Sequence, residues 1–102
     1  MIDWGRVGEL RDEIGNEDFA DVVNLFLEEV GETLDTLNSN PAELGARLHF
    51  LRGSAWNLGF RAFGDLCHQG EQLCAAGQPQ RVDIAALRRC YSESCDVFLA
   101  GA

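Results

Sequence analysis

PAELGARLHFLRGSAWNLG, residues 41–59, is the stretch whose periodicity decides the fold. Leu44, Leu48, Leu51, Ala55 and Leu58 follow one another at steps of 4, 3, 4 and 3, the spacing that lines one face of an α-helix. Asn40 is placed to cap this helix, and Pro41 or Ala42 to open it, since the first helical position needs no backbone N–H. Gly59 interrupts the pattern. On a wheel of about 100° per residue with Leu44 at zero, the rest of the stripe falls within about 40°, while His49 falls near 140°. His49 is therefore expected on the surface.

Working outward, the flanking segments read as helices too. Upstream of the turn Asn38-Ser39-Asn40-Pro41, a helix of about six turns carries Phe19, Val22, Val23, Phe26, Val30, Leu34 and Leu37. Before it, Val7, Leu10 and Ile14 mark a short first helix that stops at Gly15, with Asn16 placed to cap the helix that follows. Downstream, Phe60, Phe63, Leu66, Cys67, Gly70, Leu73 and Cys74 form a fourth stripe that ends at Ala76-Gly77-Gln78-Pro79. A last helix has Ile84, Leu87, Tyr91, Cys95 and Phe98. No segment alternates with period two and no tight hairpin turn occurs, so no sheet is expected. Short connections make successive helices antiparallel neighbours. The expectation is an all-α, up-and-down four-helix bundle with an additional short N-terminal helix, one domain over residues 1–102.

Composition agrees with a chain that folds without a staple. With 102 residues and 46% hydrophobic content, one core suffices and a second domain has no room. The net charge of −9, from 17 acidic and 8 basic residues, disfavours nucleic acid or an anionic membrane as partner and leaves protein partners. No apolar run approaches the roughly 18 residues of a membrane span, and the N-terminus does not begin a signal peptide, so a cytoplasmic protein is expected. Cys67, Cys74, Cys90 and Cys95 form no CxxC spacing and read as small buried hydrophobes. Cys67 and Cys74, about 10 Å apart along one helix, are too distant for a disulfide.

The neighbours of His49 separate it from an ordinary surface histidine. Gly45 and Gly53 flank it one turn away on each side, and a mid-helix glycine costs about 1 kcal/mol relative to alanine. Side chains lean toward the helix N-terminus, so the residue at i+4 would normally lie over His49; Gly53 leaves it uncovered for another protein's backbone. Both glycines face away from the apolar stripe, which makes a helix-packing role less natural. Arg52, at i+3, leans back toward His49 and can hold a guanidinium beside an anion there. An unprotonated imidazole has a nitrogen lone pair able to attack phosphorus, and an arginine would offset the roughly two negative charges of the resulting phosphoryl group.

The run His49-Phe50-Leu51-Arg52-Gly53-Ser54-Ala55-Trp56-Asn57-Leu58-Gly59 resembles the signature of histidine-containing phosphotransfer (HPt) domains, approximately H-x-L-[K/R]-G-S-[A/S]-x-x-L-G, and the likeness continues through Leu66-Cys67 to Glu71. The resemblance implies a phosphorelay carrier: His49 accepts a phosphoryl group from, and donates it to, aspartates of receiver domains, downstream of a hybrid histidine kinase. Arg52 takes the family's basic position and Gly53 its small position. Ser54, near 280° on the wheel, points away from His49 and reads as a packing or backbone-bonding residue. If the third and fourth helices fold back about Gly59-Phe60, position 49 lies level with about position 70, within range of Gln69, Glu71, Gln72 and His68. Of these, Glu71 best fits the family's imidazole-orienting position, where accepting from Nδ1–H would leave Nε2 as nucleophile.

Rival readings are weaker. His68 lacks flanking glycines and an i+3 arginine, so it reads as a surface or supporting residue. A metal site from His49, His68 and Cys67 lacks an i, i+4 ligand pair, and no cofactor is expected. No glycine-rich nucleotide loop or kinase signature is present, so the chain is expected to be a relay and no enzyme with its own ATP site. An HPt-like interaction module that has lost its chemistry would not need His49, Arg52 and Gly53 together. A substrate domain of a hybrid or chemotaxis-type kinase is the remaining alternative, against which a monomeric free-standing carrier is favoured by the start at Met1 and the finished last helix.

Overall fold

The computed structural model describes residues 1–38 and 40–101, and among these it contains helices and no strand. α1 spans Trp4–Ile14, α2 Asn16–Asp35, α3 Pro41–Leu58, α4 Arg61–Ala75 and α5 Ile84–Gly101, with a single 3₁₀ turn at Pro79–Arg81 before α5. α3 packs on α2 and α4, and α4 on α5, in a bundle 42 × 20 × 19 Å across; α1 lies against α2 and α3. The all-α bundle with a short extra helix is what the periodicity predicts. Of the turn assigned to Asn38-Ser39-Asn40-Pro41, Ser39 lies outside the described residues.

The core follows the stripes. Leu44, Leu48, Leu51, Ala55 and Leu58 of α3 are all buried, facing Phe19, Val23, Phe26, Val30 and Leu34 of α2 and Phe63 and Cys67 of α4. Asn40 caps α3 through its side chain, which accepts from Ala42 N–H at 3.1 Å. Phe60 is the aromatic hub: its ring meets Phe26 edge-on at 4.9 Å and Phe98 at 5.3 Å. α5 is tied to the C-terminal end of α2 by Arg88, whose Nη2 donates to the carbonyls of Leu34 (2.9 Å) and Leu37 (3.4 Å).

Four details depart from the sequence reading. Asn16 does not cap α2 but is its first residue; Gly15, at φ 82°, supplies the joint between α1 and α2, and no side chain caps it. An asparagine would have to leave the helix to do so, whereas glycine takes the left-handed backbone without strain. Val22 is exposed at the edge of its stripe, beside the surface groove between α2 and α3. Leu37 is buried but lies beyond the end of α2, and Phe60 precedes α4 as its cap residue.

Gly59 closes the α3–α4 hairpin in the left-handed region, φ 96°, and the N-terminal segment seals the turn: Asp3 N–H donates to Gly59 O at 2.7 Å, and Ala62 N–H to Met1 O at 3.2 Å. A Cβ at position 59 would meet Asp3 O at 2.8 Å and Val7 Cγ2 at 2.9 Å. Gly59→Ala should therefore cost about 2 kcal/mol or more, lowering Tm by about 10 °C. An unchanged Tm in thermal denaturation would show that the turn tolerates both strain and contact.

Cys67 is fully buried, and burial pushes its thiol up from 9.0 to about 12. A thiol harder to ionise when folded than when unfolded contributes stability below pH 9, which is lost as pH rises through the folded value. Tm should fall between about pH 9 and 12, and Cys67→Ala should flatten that fall whatever its effect at neutral pH. Parallel slopes for the two proteins would exclude Cys67 as a source.

Candidate functional site

The hairpin turn at Gly59 sets α4 antiparallel to α3, and the pairing keeps step along both helices. Gly45 faces Cys74, Leu48 faces Gly70, and Trp56 faces Gly64, so each step forward on α3 meets a step back on α4. His49 consequently lies level with Glu71, whose Oε2 is 3.1 Å from His49 Nδ1. Glu71, rather than Gln69 or Gln72, reaches the imidazole because α4 turns those neighbours to other sides.

Three side chains form one cluster. The His49 side chain is 68% exposed, while those of Arg52 and Glu71 are 23% and 20% exposed beneath it. Arg52 Nη2 lies 2.7 Å from His49 Nδ1, and Arg52 Nε lies 2.5 Å from Glu71 Oε1. That last approach is an ion pair without an aligned hydrogen bond, for neither atom has a hydrogen-bond partner. Nδ1 faces an acid and a base at once, so its protonation decides the partner: with a proton it donates to Glu71, and without one it accepts from Arg52. Among the described residues, Nε2 makes no hydrogen bond.

The two glycines differ. A Cβ at Gly53 would meet nothing within 4 Å, so the flank of His49 on that side is open. Gly45 borders α4, where a Cβ would sit 3.5 Å from Cys74 Cβ in ordinary van der Waals contact. It faces a neighbouring helix because its place on the wheel, near 100°, is on the side that α4 covers. Ser54 lies on the opposite side, at the groove lined by Val22, Leu25 and Phe26 of α2.

His68 is half-buried, its ring centroid 5.6 Å from that of Trp56 and its Nδ1 enclosed without a hydrogen-bond partner. Trp56, which the sequence reading left out of the site, also packs its ring against the Arg52 guanidinium. Its place off the apolar stripe, four residues after an arginine, is the only sequence feature that marks it, and that spacing alone does not show what fixes the ring. Among the described residues, no three His, Cys, Asp or Glu side chains are grouped to hold a metal ion. The four cysteines are free, Cys67 buried and the others half-buried.

The chain is thus an all-helical bundle that presents an exposed histidine from the middle of one helix, paired with a carboxylate of the next. The family model for the Hpt domain matches residues 21–96, and the chain belongs to that family. Neither the curated proteins nor the solved structures contain a match. Hpt domains are phosphocarriers in phosphorelays, working with receiver domains and kinases. No helix among the described residues is long and apolar enough to cross a membrane.

Gly53 supplies the test of the open flank. With no neighbour within 4 Å, Gly53→Ala should raise stability by about 1 kcal/mol, seen as a higher Tm. A glycine needed for packing would instead lose stability on gaining a methyl group.

Proposed function

We propose that residues 1–102 form one domain that serves as a phosphorelay carrier, with His49 accepting a phosphoryl group from one receiver aspartate and passing it to another. The observation that carries this reading is the set around His49: Nε2 free, Nδ1 within 3.1 Å of Glu71 Oε2, and Gly53 leaving open space beside it. With Nδ1–H hydrogen-bonded to the Glu71 carboxylate, the Nε2 lone pair attacks the phosphorus of a receiver's aspartyl phosphate. The P–N bond forms as the P–O bond breaks, and the aspartate carboxylate leaves with the electron pair. Nδ1 keeps its proton, and the Glu71 carboxylate offsets the charge of the phosphorylated imidazolium.

Arg52 has the complementary task. Once Nδ1 is protonated it can no longer accept from Nη2, so the guanidinium is released to the phosphoryl oxygens, where charge-assisted hydrogen bonds are strongest. The phosphoryl donor is a receiver domain fed by a hybrid histidine kinase, and the chain has no ATP site of its own. The net charge of −9 favours protein partners over nucleic acid or an anionic membrane surface. The carrier acts as a monomer in the cytoplasm.

Incubation with a phosphorylated receiver should transfer label to the chain in an acid-labile, alkali-stable form. His49→Gln, at an exposed position, should fold normally and take no label; retained labelling would assign the carrier to another residue, His68 first. Arg52→Ala should slow transfer about tenfold or more while Arg52→Lys keeps much of the rate, since a point charge still compensates the phosphate. Wild-type transfer by the alanine variant would remove the electrostatic role.

A further inference from the structure

We propose that Trp56 is a positioning residue for phosphotransfer, its indole forming a platform that holds the Arg52 guanidinium against His49 and Glu71. The inference rests on the reading of His49 as carrier and adds a residue to its machinery. Trp56 lies off the apolar stripe of α3, one turn beyond Arg52, and is 38% exposed. An indole so placed is ordinarily free to swing. Here three features of α4 fix it.

Gly64 provides the seat: any Cβ there would overlap Trp56 Cδ1 and Nε1, so the ring lies directly on the helix backbone. Asp65 anchors the polar edge, accepting from Nε1–H at 3.1 Å. His68 walls the ring at 5.6 Å between centroids, tilted by 50°. On the platform so made, Arg52 Cζ sits 5.2 Å from the ring centroid, within cation–π range. The guanidinium is thereby confined between the indole, Glu71 and His49 Nδ1. A flexible arginine pre-oriented in this way loses less freedom on meeting the phosphoryl group, which favours transfer over random solvation.

Trp56→Leu keeps apolar bulk without an aromatic face, and Trp56→Phe keeps the face without the Nε1 anchor. At saturating phosphorylated receiver, Trp56→Leu should lower the transfer rate about three- to tenfold, with the half-saturating receiver concentration unchanged and Trp56→Phe near wild type. In an Arg52→Ala background, Trp56→Leu should have no further effect. An equal loss in both backgrounds, a change only in half-saturation, or a wild-type rate in Trp56→Leu would each overturn the proposal; the first two would make Trp56 a general structural or receiver-contacting residue. The ¹⁵N shift of His49 Nδ1 in the unphosphorylated chain reads the positioning without any transfer. Trp56→Leu should move it toward the value in Arg52→Ala, and an unmoved shift would overturn the platform. A wild-type chain that takes no label would overturn the carrier reading, while the Nδ1 shift would still decide the platform. Trp56→Gln gives the same comparison if leucine lowers folding.

Discussion

The left-handed turn at Gly59 is the constraint on which the arrangement of the bundle and its exposed histidine depends. A two-residue reversal leaves little slack, so the register of α3 against α4 is set where the hairpin closes and carried along both helices. The side chain that follows the turn, Phe60, is fully buried among Phe26, Tyr91 and Phe98, which ties the reversal to the core. Met1 and Asp3 then pair with the turn's backbone, and Arg6 donates to Asn57 O at 2.9 Å, so α1 is tied to the end of the bundle rather than trailing from it.

Rigidity at one end allows exposure at the middle. His49 makes almost no contribution to the core, yet its helix is held by Leu48 and Leu51, both fully buried, on the opposite face. On the carrier reading proposed above, a side chain on such a helix would meet a partner in a fixed orientation, whereas one on a loop would first have to be ordered. The glycine at position 53 keeps the approach clear at a helical cost of about 1 kcal/mol, which such a core can carry.

Charge in the cluster is graded by depth. Glu71 and Arg52 lie mostly covered and neutralise each other, while His49 stands above them in water. Pairing at that depth matters more than at an open surface, where water screens the attraction. Because the ion pair leaves Arg52 Nε and Glu71 Oε1 without aligned hydrogen bonds, the cluster is held by charge and packing together.

What repeats at helical spacing, or acts within a turn or two of itself, is legible in the order of residues alone. The apolar stripes assign all five helices, Asn40 its cap, Gly59 the reversal, and the wheel puts His49, Arg52 and Gly53 off the buried face, because these depend only on about 3.6 residues per turn and local backbone preference. Tertiary structure decided what depends on neighbours far along the chain. Glu71 could not be separated from Gln69 or Gln72 until the hairpin register was set, since a shift of one residue rotates a helical side chain by about 100°. Gly45 proved to border α4, Val22 to lie uncovered, and Gly15 to take the joint assigned to Asn16. Trp56 was invisible as a platform because its seat, anchor and wall are Gly64, Asp65 and His68 on another helix. Periodicity states which face of a helix is apolar; only packing states what stands opposite it.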